Sequence, residues 1–401
     1  MKVLFLTMVK INSLQERGIY TDLLRKFSQE GHEVFAVCPI ERRENKKTSL
    51  RHEKDGNILS VKTLNLQKTN IVEKGLGTLA IEYQFLYAVK KYFSNIKFDL
   101  ILYSTPPITF SRAIHFIKKK DGAFSYLLLK DIFPQNAVDM KMLKKGGILH
   151  KMFLRKEQKL YSLSDAIGCM SDANKNYIIK HNPKINTDKL EVNPNSIEPV
   201  VLVQNNQQKQ AIKQKYGLPL DKKIFVYGGN LGKPQGLDFL LQTIQSNTNQ
   251  DVFFLIIGSG TEYNRIEKWF QIHKIKNALL IAGLPKNEYD MLLNACDVGL
   301  IFLHKDFTIP NFPSRLLSYL EMKMPIIAAT DSVTDIGLII EKNNCGFAVI
   351  SGDIIKMNQL INKIISDKDQ FNLMKENAWN LLQKEYEVSY SYALIKNRLN
   401  V

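Results

Sequence analysis

Cysteine is scarce in this chain. Four occur in 401 residues, at 38, 169, 296 and 345, and no two form C-x-x-C. That spacing speaks against a zinc ribbon or a disulfide framework and fits a reducing compartment. Long apolar runs are missing as well. No window offers the roughly 18 uncharged apolar residues a spanning helix needs. The opening "MKVLFLTMVK" is interrupted too soon for a signal peptide and reads as a buried strand. A cytoplasmic protein is expected, one still able to touch a membrane from inside. Metal-ligand patterns are absent too: there is no H-E-x-x-H and no Cys/His cluster. The one D-x-D, Asp367-Lys368-Asp369, lies in a polar helical pattern and reads as a solvated face. Acidic residues are short in the first half. Residues 1–200 hold 33 Lys and Arg against 20 Asp and Glu, so most of the net charge of +16 falls there. A basic half implies an anionic partner: nucleic acid, a bilayer surface or a phosphorylated substrate.

What is present is a rhythm. With 45% apolar residues the chain can bury a large core, and its length suggests two domains. Apolar runs at 3–9, 33–39, 98–104, 124–130 and 166–171 alternate with amphipathic segments such as "YTDLLRKFSQEGHEV". Residues 193–222 turn polar and Asn/Gln-rich, the composition of a linker and an introductory helix. The rhythm restarts with "KIFVYGG", "DVFFLIIGSG", "NALLIAG", "CDVGLIFL" and "MPIIAAT". Short buried strands alternating with helices imply parallel, doubly wound sheets. The expected architecture is therefore α/β, with two Rossmann-like domains over 1–200 and 201–385, a terminal helix over 386–401, and ligands at the carboxyl ends of the strands in a cleft.

Three features follow strands of the second half. "YGGNLGKPQGLDFLL" (227–241) places four glycines at one strand-to-helix turn, which suits an anion at a helix start. "IIGSGTE" (256–262) brings Gly258 and Gly260 around Ser259. "NFPSRLLSYLEMKMPIIAA" (311–329) sets Ser314 and Arg315 at a helix start, a plausible diphosphate site. Each alone is an ordinary turn or cap. Three on successive strand ends of one sheet favour a ligand.

These stretches, with "LLIAGLPKNEYDMLLNACDVGLIFL" between them, resemble the donor half of GT-B glycosyltransferases of family 4 in order and spacing. "ERGIYTDLLRKFSQEGHEVFAVCP", "LKDIFPQNAV" and "EVNPNSIEP" resemble the bacterial capsule and O-antigen subgroup that includes N-acetyl-L-fucosamine transferases. The resemblance implies a GT-B fold with an acceptor-binding first domain and a donor-binding second one. It also implies transfer from a UDP-sugar without a metal or other cofactor. Family members carry an arginine and a lysine in the first donor loop, where this chain has Asn230 and Gln235. Lys233 and Arg315 are the cations left to neutralise the leaving diphosphate, with the backbone of Gly229, Gly258 and Ser314. The family's two glutamates fall at Pro310 and Ser318; Glu321, one turn on, is the carboxylate expected to reach a ribose. The backbone of Leu284 matches the position that pairs with the nucleobase. In the first half, Lys130 and Asp131 stand at a strand end: Asp131 to orient the acceptor hydroxyl or act as base, Lys130 to hold a phosphate. Glu16, Arg17 and Gly18 match the loop where acceptor and donor phosphate meet.

Residues 140–163 hold seven Lys and Arg against a single acid, Glu157, interleaved with apolar residues. An anionic membrane surface and a packed helix with a solvated outer face fit that pattern equally. The basic first half tips the balance to a membrane-bound acceptor such as an undecaprenyl-diphosphate saccharide. Nucleic acid ranks low, because aromatics do not interleave with the patch. Two other readings stay open: a UDP-sugar 2-epimerase, for which His115, His181 and His304 form no evident set, and a non-catalytic sugar-nucleotide-binding protein.

Overall fold

The apolar runs are strands buried on both faces. Val3 to Leu6 and Ile224 to Tyr227 expose at most 1% of their surface, the pattern of a parallel sheet covered by helices on each side. The computed structural model describes residues 1–65, 71–202 and 205–399, with the side chains of 71–76 and 78 left undescribed. The chain divides into two compact units, one of Met1–Glu198 with Glu387–Val401 and one of Pro199–Tyr386.

Among the described residues the first unit has eight strands: β1 (Lys2–Leu6), β2 (Glu33–Glu41), β3 (Ser49–Glu53), β4 (Gly56–Thr63), β5 (Leu100–Ser104), β6 (Phe124–Leu129), β7 (Ala166–Cys169) and β8 (Leu190–Val192). They lie in the order β3-β4-β2-β1-β5-β6-β7-β8. Only β3 runs antiparallel, in a hairpin with β4. Its helices are α1 (Ile19–Gln29), α2 (Ile71–Tyr92), α3 (Ser111–Asp121), α4 (Gln135–Asp139), α5 (Ile148–Leu163) and α6 (Asp172–His181). The terminal helix Val388–Leu399 returns to this unit. Its Tyr392 ring meets Phe27 of α1 edge-on at 4.9 Å, and its hydroxyl lies 3.0 Å from His32 Nε2.

The second unit has α7 (Asn206–Lys215), β9 (Lys223–Asn230), α8 (Leu237–Ser246), β10 (Val252–Ser259), α9 (Tyr263–His273), β11 (Ala278–Ala282), α10 (Lys286–Asn294), β12 (Val298–Phe302), α11 (Arg315–Glu321), β13 (Ile326–Thr330), α12 (Ile336–Lys342), β14 (Gly346–Ile350), α13 (Ile354–Ser366) and α14 (Lys368–Leu381). The strand order is β11-β10-β9-β12-β13-β14, all parallel. The order reverses between β9 and β12, the switch point at which such sheets take ligands beyond the strands' carboxyl ends. Asn205 and Gln208 cap α7 reciprocally, which starts the introductory helix firmly. The Asp367-Lys368-Asp369 motif is exposed, as expected of a solvated face, and it also caps a helix. Asp367 accepts from the backbone N–H groups of Asp369 and Gln370 at 2.9 and 3.0 Å.

One side chain shapes the switch point. Pairing of β12 with β9 covers only Val298–Phe225 and Gly299–Val226. Beyond it, the fully buried Tyr319 of α11 reaches between the strands. Its hydroxyl accepts from Gly228 N–H at 3.1 Å and lies 3.1 Å from the carbonyls of both Val226 and Leu300. The ring fits because residue 299 is glycine; a Cβ there would come within 2.5 Å of the ring. Tyr319→Phe strands a buried backbone donor, at a cost of roughly 1–3 kcal/mol. Denaturant unfolding should show that loss, and an unchanged midpoint would mean the hydroxyl is not what holds these strands.

Candidate active site

The glycine turn at the end of β9 divides its labour. Gly229 has φ of 122°, a conformation side chains rarely adopt, and its backbone is exposed. A Cβ there would stand 3.7 Å from Arg315 Nη2, so this is open backbone beside a cation. Gly236, at φ 57°, lies under the β12 exit, where a Cβ would come within 2.6 Å of Leu303 O. Gly236 and Leu237 are buried, so the start of α8 is covered and not open to an anion as the sequence suggests. Gly258 is needed for packing, because a Cβ would run into the carbonyl of Gly229 across the register. The intervening loop is pinned on both sides. Leu231 N–H donates to Ser259 O at 2.9 Å, and His304 N–H donates to Pro234 O at 3.0 Å.

Arg315 opens α11 and points back at this turn. Its guanidinium lies 4.1 Å above the centre of the Tyr227 ring, and Nη2 donates to Gln235 Oε1 at 2.6 Å. Burial works against its charge, yet the oxygens of Tyr227, Tyr319 and Tyr289 outweigh it and hold its pKa above the ordinary arginine value. Nη1 is buried and has no acceptor among the described residues. No carboxylate pairs with Arg315 among the described residues. Helix α11 has only seven residues and Ser314 makes no side-chain cap, so the positive charge here is the side chain's. Lys233 stands exposed in the pinned loop and Asn230 is exposed at the strand end. Ser318 follows one turn after Arg315 and keeps some solvent contact. Leu284 follows Gly283, which closes on Ser259 at the end of β10.

Glu321 does not serve the ribose as expected. It lies at the far end of α11, buried, and accepts from Val200 N–H at 2.9 Å. It lines a cavity with Cys296 and Lys209 at the amino end of β12. His304 is beside Asp306 at 3.9 Å, His181 stacks on Tyr177, and His115 is on α3, so no histidine set forms. Among the described residues no group of three or more His, Cys, Asp or Glu could hold a metal ion.

In the first unit, Lys130 and Asp131 follow β6. Thr105, following β5, accepts from both backbone N–H groups at 3.1 and 3.3 Å and donates to Asp131 O at 3.0 Å. Burial pushes the Asp131 carboxyl up to about 6, partly countered by hydrogen bonds from Ile132 N–H and Asn136. Burial pushes the Lys130 amine down to about 7. The amine donates to Asn193 O at 3.2 Å. Glu16, Arg17 and Gly18 form the entry to α1. Gly18 N–H donates to Asp22 Oδ1 at 3.0 Å, and Arg25 holds the carbonyls of Leu14 and Glu16 at 2.6 and 2.9 Å. The exit of that helix start is thus filled by Asp22, and Glu16 binds outward, to Asn12 at 3.2 Å.

Sequence reading overlooked Tyr227, Tyr289 and Thr105. Tyr227 had a signal: it lies two residues before Gly229 on one strand, hence on the same face of the sheet.

Comparison with known proteins bears on the fold and the enzyme class. Residues 208–380 match the family described as glycosyl transferases group 1. Over 312 residues the chain is 25% identical to "Probable glycosyltransferase WbjE" of Pseudomonas aeruginosa, covering 74% of this chain and 73% of that one. It is 27% identical over 134 residues, about a third of each chain, to WcaI of Escherichia coli K12, named for colanic acid biosynthesis. Among solved structures, sucrose-phosphate synthase of Thermosynechococcus elongatus superposes with a TM-score of 0.76 at 15% identity, over 99% of this chain and 98% of the other. Anabaena HepE in complex with UDP-glucose gives 0.71 at 14% identity, over 100% and 99%. The structural likenesses define the GT-B fold. The match to group 1 glycosyltransferases lies within the second unit, and it makes the protein a glycosyltransferase.

The Asp131 environment carries a pH signature. Its folded pKa lies above the ordinary 3.8, so its contribution favours folding at low pH and is lost as pH rises through about 6. Lys130 behaves oppositely: its folded pKa is depressed, so its burial cost is full below about 7 and is relieved at higher pH. Asp131→Asn removes a buried charge above pH 6. It should raise stability at pH 7.5 by about 1 kcal/mol, a ceiling of roughly 3 discounted for the solvent contact the side chain keeps. It should change little at pH 4, and it should lower sugar transfer. Thermal unfolding at both pH values checks this, and equal shifts at the two would contradict it.

Proposed function

We propose that the protein moves a sugar from a UDP-sugar to a lipid-linked saccharide on undecaprenyl diphosphate, in capsular polysaccharide or O-antigen synthesis. N-acetyl-L-fucosamine is the candidate sugar. The observation that carries the reading is the unsatisfied Nη1 of Arg315 beside the open backbone of Gly229 at the sheet's switch point. A buried cationic donor without an acceptor is costly, and a diphosphate oxygen supplies the missing partner. Negative charge grows on that diphosphate as the glycosidic bond to it breaks. Arg315 and Lys233 stabilise the growing charge, and no metal is required of the site. Leu284 pairs its backbone with the uracil, and Ser318 is the polar side chain left near the ribose. Asp131 orients the acceptor hydroxyl or takes its proton, and Lys130 holds an acceptor phosphate. The name of WcaI and the UDP-glucose bound to HepE support the same chemistry.

The acceptor side of the proposal rests on residues 140–163. Helix α5 buries His150, Glu157, Leu160 and Tyr161, and Phe153 packs on Phe133 at 5.0 Å. That accounts for part of the apolar content as a packed face. Met142, Ile148 and Leu149 remain 74, 89 and 56% exposed, beside exposed Lys141, Lys144, Lys145 and Lys151. Exposed apolar residues among cations suit an anionic bilayer surface, each cation adding roughly 1 kcal/mol. Among the described residues no helix is long and apolar enough to cross a membrane, so contact would be at the surface.

Arg315→Ala should lower kcat more than about 100-fold, the loss seen when one preorganised donor is removed. Steady-state kinetics with near wild-type kcat would sink the role given to this cation. Replacing Lys144, Lys145, Lys151 and Lys156 with glutamine should release the protein from anionic liposomes in a salt-dependent way. It should reduce turnover on a lipid-linked acceptor and spare a short soluble analogue. Equal co-sedimentation of wild type and quadruple variant would leave the stretch as a solvated face.

A further inference from the structure

The second unit has another basic cavity, at the opposite end of its sheet. A pocket of about 470 Å³ opens between α7, the start of β12, the end of α11 and α14. That volume is in the range of small-molecule sites. Lys209, Lys213, Lys323 and Lys375 line it, with Glu321 and Trp379. Helix α11 separates it from Arg315. Along the sheet, the five residues of β12 span roughly 16 Å between the two ends.

The charges inside do not balance. Asp297, also in the lining, is engaged by Lys213 at 3.6 Å, by Lys223 at 3.2 Å and by Ile224 N–H at 2.9 Å. Glu321 accepts from Val200 N–H. Lys209, Lys323 and Lys375 have no ion-pair partner among the described residues. Lys323 instead rests over the Trp379 ring, 5.0 Å from its centre. Burial lowers the pKa of Lys209, and the nearby charges of Lys375 and Lys213 lower it further. Four lysines and two carboxylates line one concave space, a surplus of two positive charges, with an indole in its wall.

We infer that this cavity binds a small phosphorylated molecule, its phosphate groups bridging Lys209, Lys323 and Lys375 and its body resting against Trp379. The site is separate from the one assigned to the sugar donor and does not depend on that assignment. A ligand there would touch the end of the helix whose start carries Arg315.

Trp379 supplies the readout. The chain has two tryptophans, so Trp269→Phe leaves Trp379 as the sole reporter. Inorganic pyrophosphate is titrated into this variant of the full chain, with and without saturating UDP. A saturable change in Trp379 emission is expected, unaffected by UDP and not reproduced by sulfate at matched ionic strength. Adding Lys209→Gln and Lys375→Gln should weaken it at least about tenfold, or 1.4 kcal/mol. If the double variant fails to fold by circular dichroism, Lys375→Gln alone decides. The inference is overturned if the change equals that with sulfate, survives the substitutions, disappears with UDP, or arises only with phosphatidylglycerol vesicles. Failure of UDP to bind would count against the donor site and leave this result standing.

Discussion

An arginine held on a tyrosine ring, with one nitrogen left unanswered, is what the second unit is arranged around. Arg315 lies among three tyrosines and is steered by Gln235, but Nη1 meets no acceptor among the described residues. A buried donor without an acceptor is costly. The surrounding features maintain the geometry. Tyr319 opens β9 from β12, Gly299 gives it room, and Gly229 keeps its backbone bare before the guanidinium. The loop between is tied to β10 and β12, so the cation faces a fixed turn. Rigid placement of a cation where charge develops is how such sites act.

The first unit uses a different device. Thr105 clamps the backbone of Lys130 and Asp131, and the two side chains are enclosed enough that an acid is weakened and an amine neutralised more readily. Groups tuned towards neutrality can exchange protons near physiological pH. Behind them, Asn193 donates to Tyr126 at 2.9 Å and Tyr126 to Glu191 at 2.6 Å, and Arg398 of the terminal helix reaches Glu191 at 2.9 Å. The last helix thereby supports a strand end far from it in sequence.

Much of this was legible in the sequence. Strands buried on both faces gave unbroken apolar runs, so five strands in each half and the doubly wound class could be read directly. Strands β3, β4, β8 and β14 were not seen. β3 is the polar antiparallel edge "SLRHE", β8 has three residues, and neither carries a clear period. The glycine turn is plain in the sequence, but the separate tasks of its glycines are not. Gly236 and Gly258 answer to backbone packing across strands, which spacing along the chain cannot reveal. Glu321 looked one turn from a ribose, yet the direction of a short helix sends it to the other end of the sheet. Arg315 was recognised as a cation; its tyrosine surroundings come from β9, α10 and α11 and meet only in the fold.

A crystal structure of the protein soaked with UDP shows whether a diphosphate completes Arg315 Nη1. The phosphates are expected over Gly229, with one oxygen within hydrogen-bond distance of Nη1. UDP bound elsewhere, or phosphates turned away from Arg315, would contradict it.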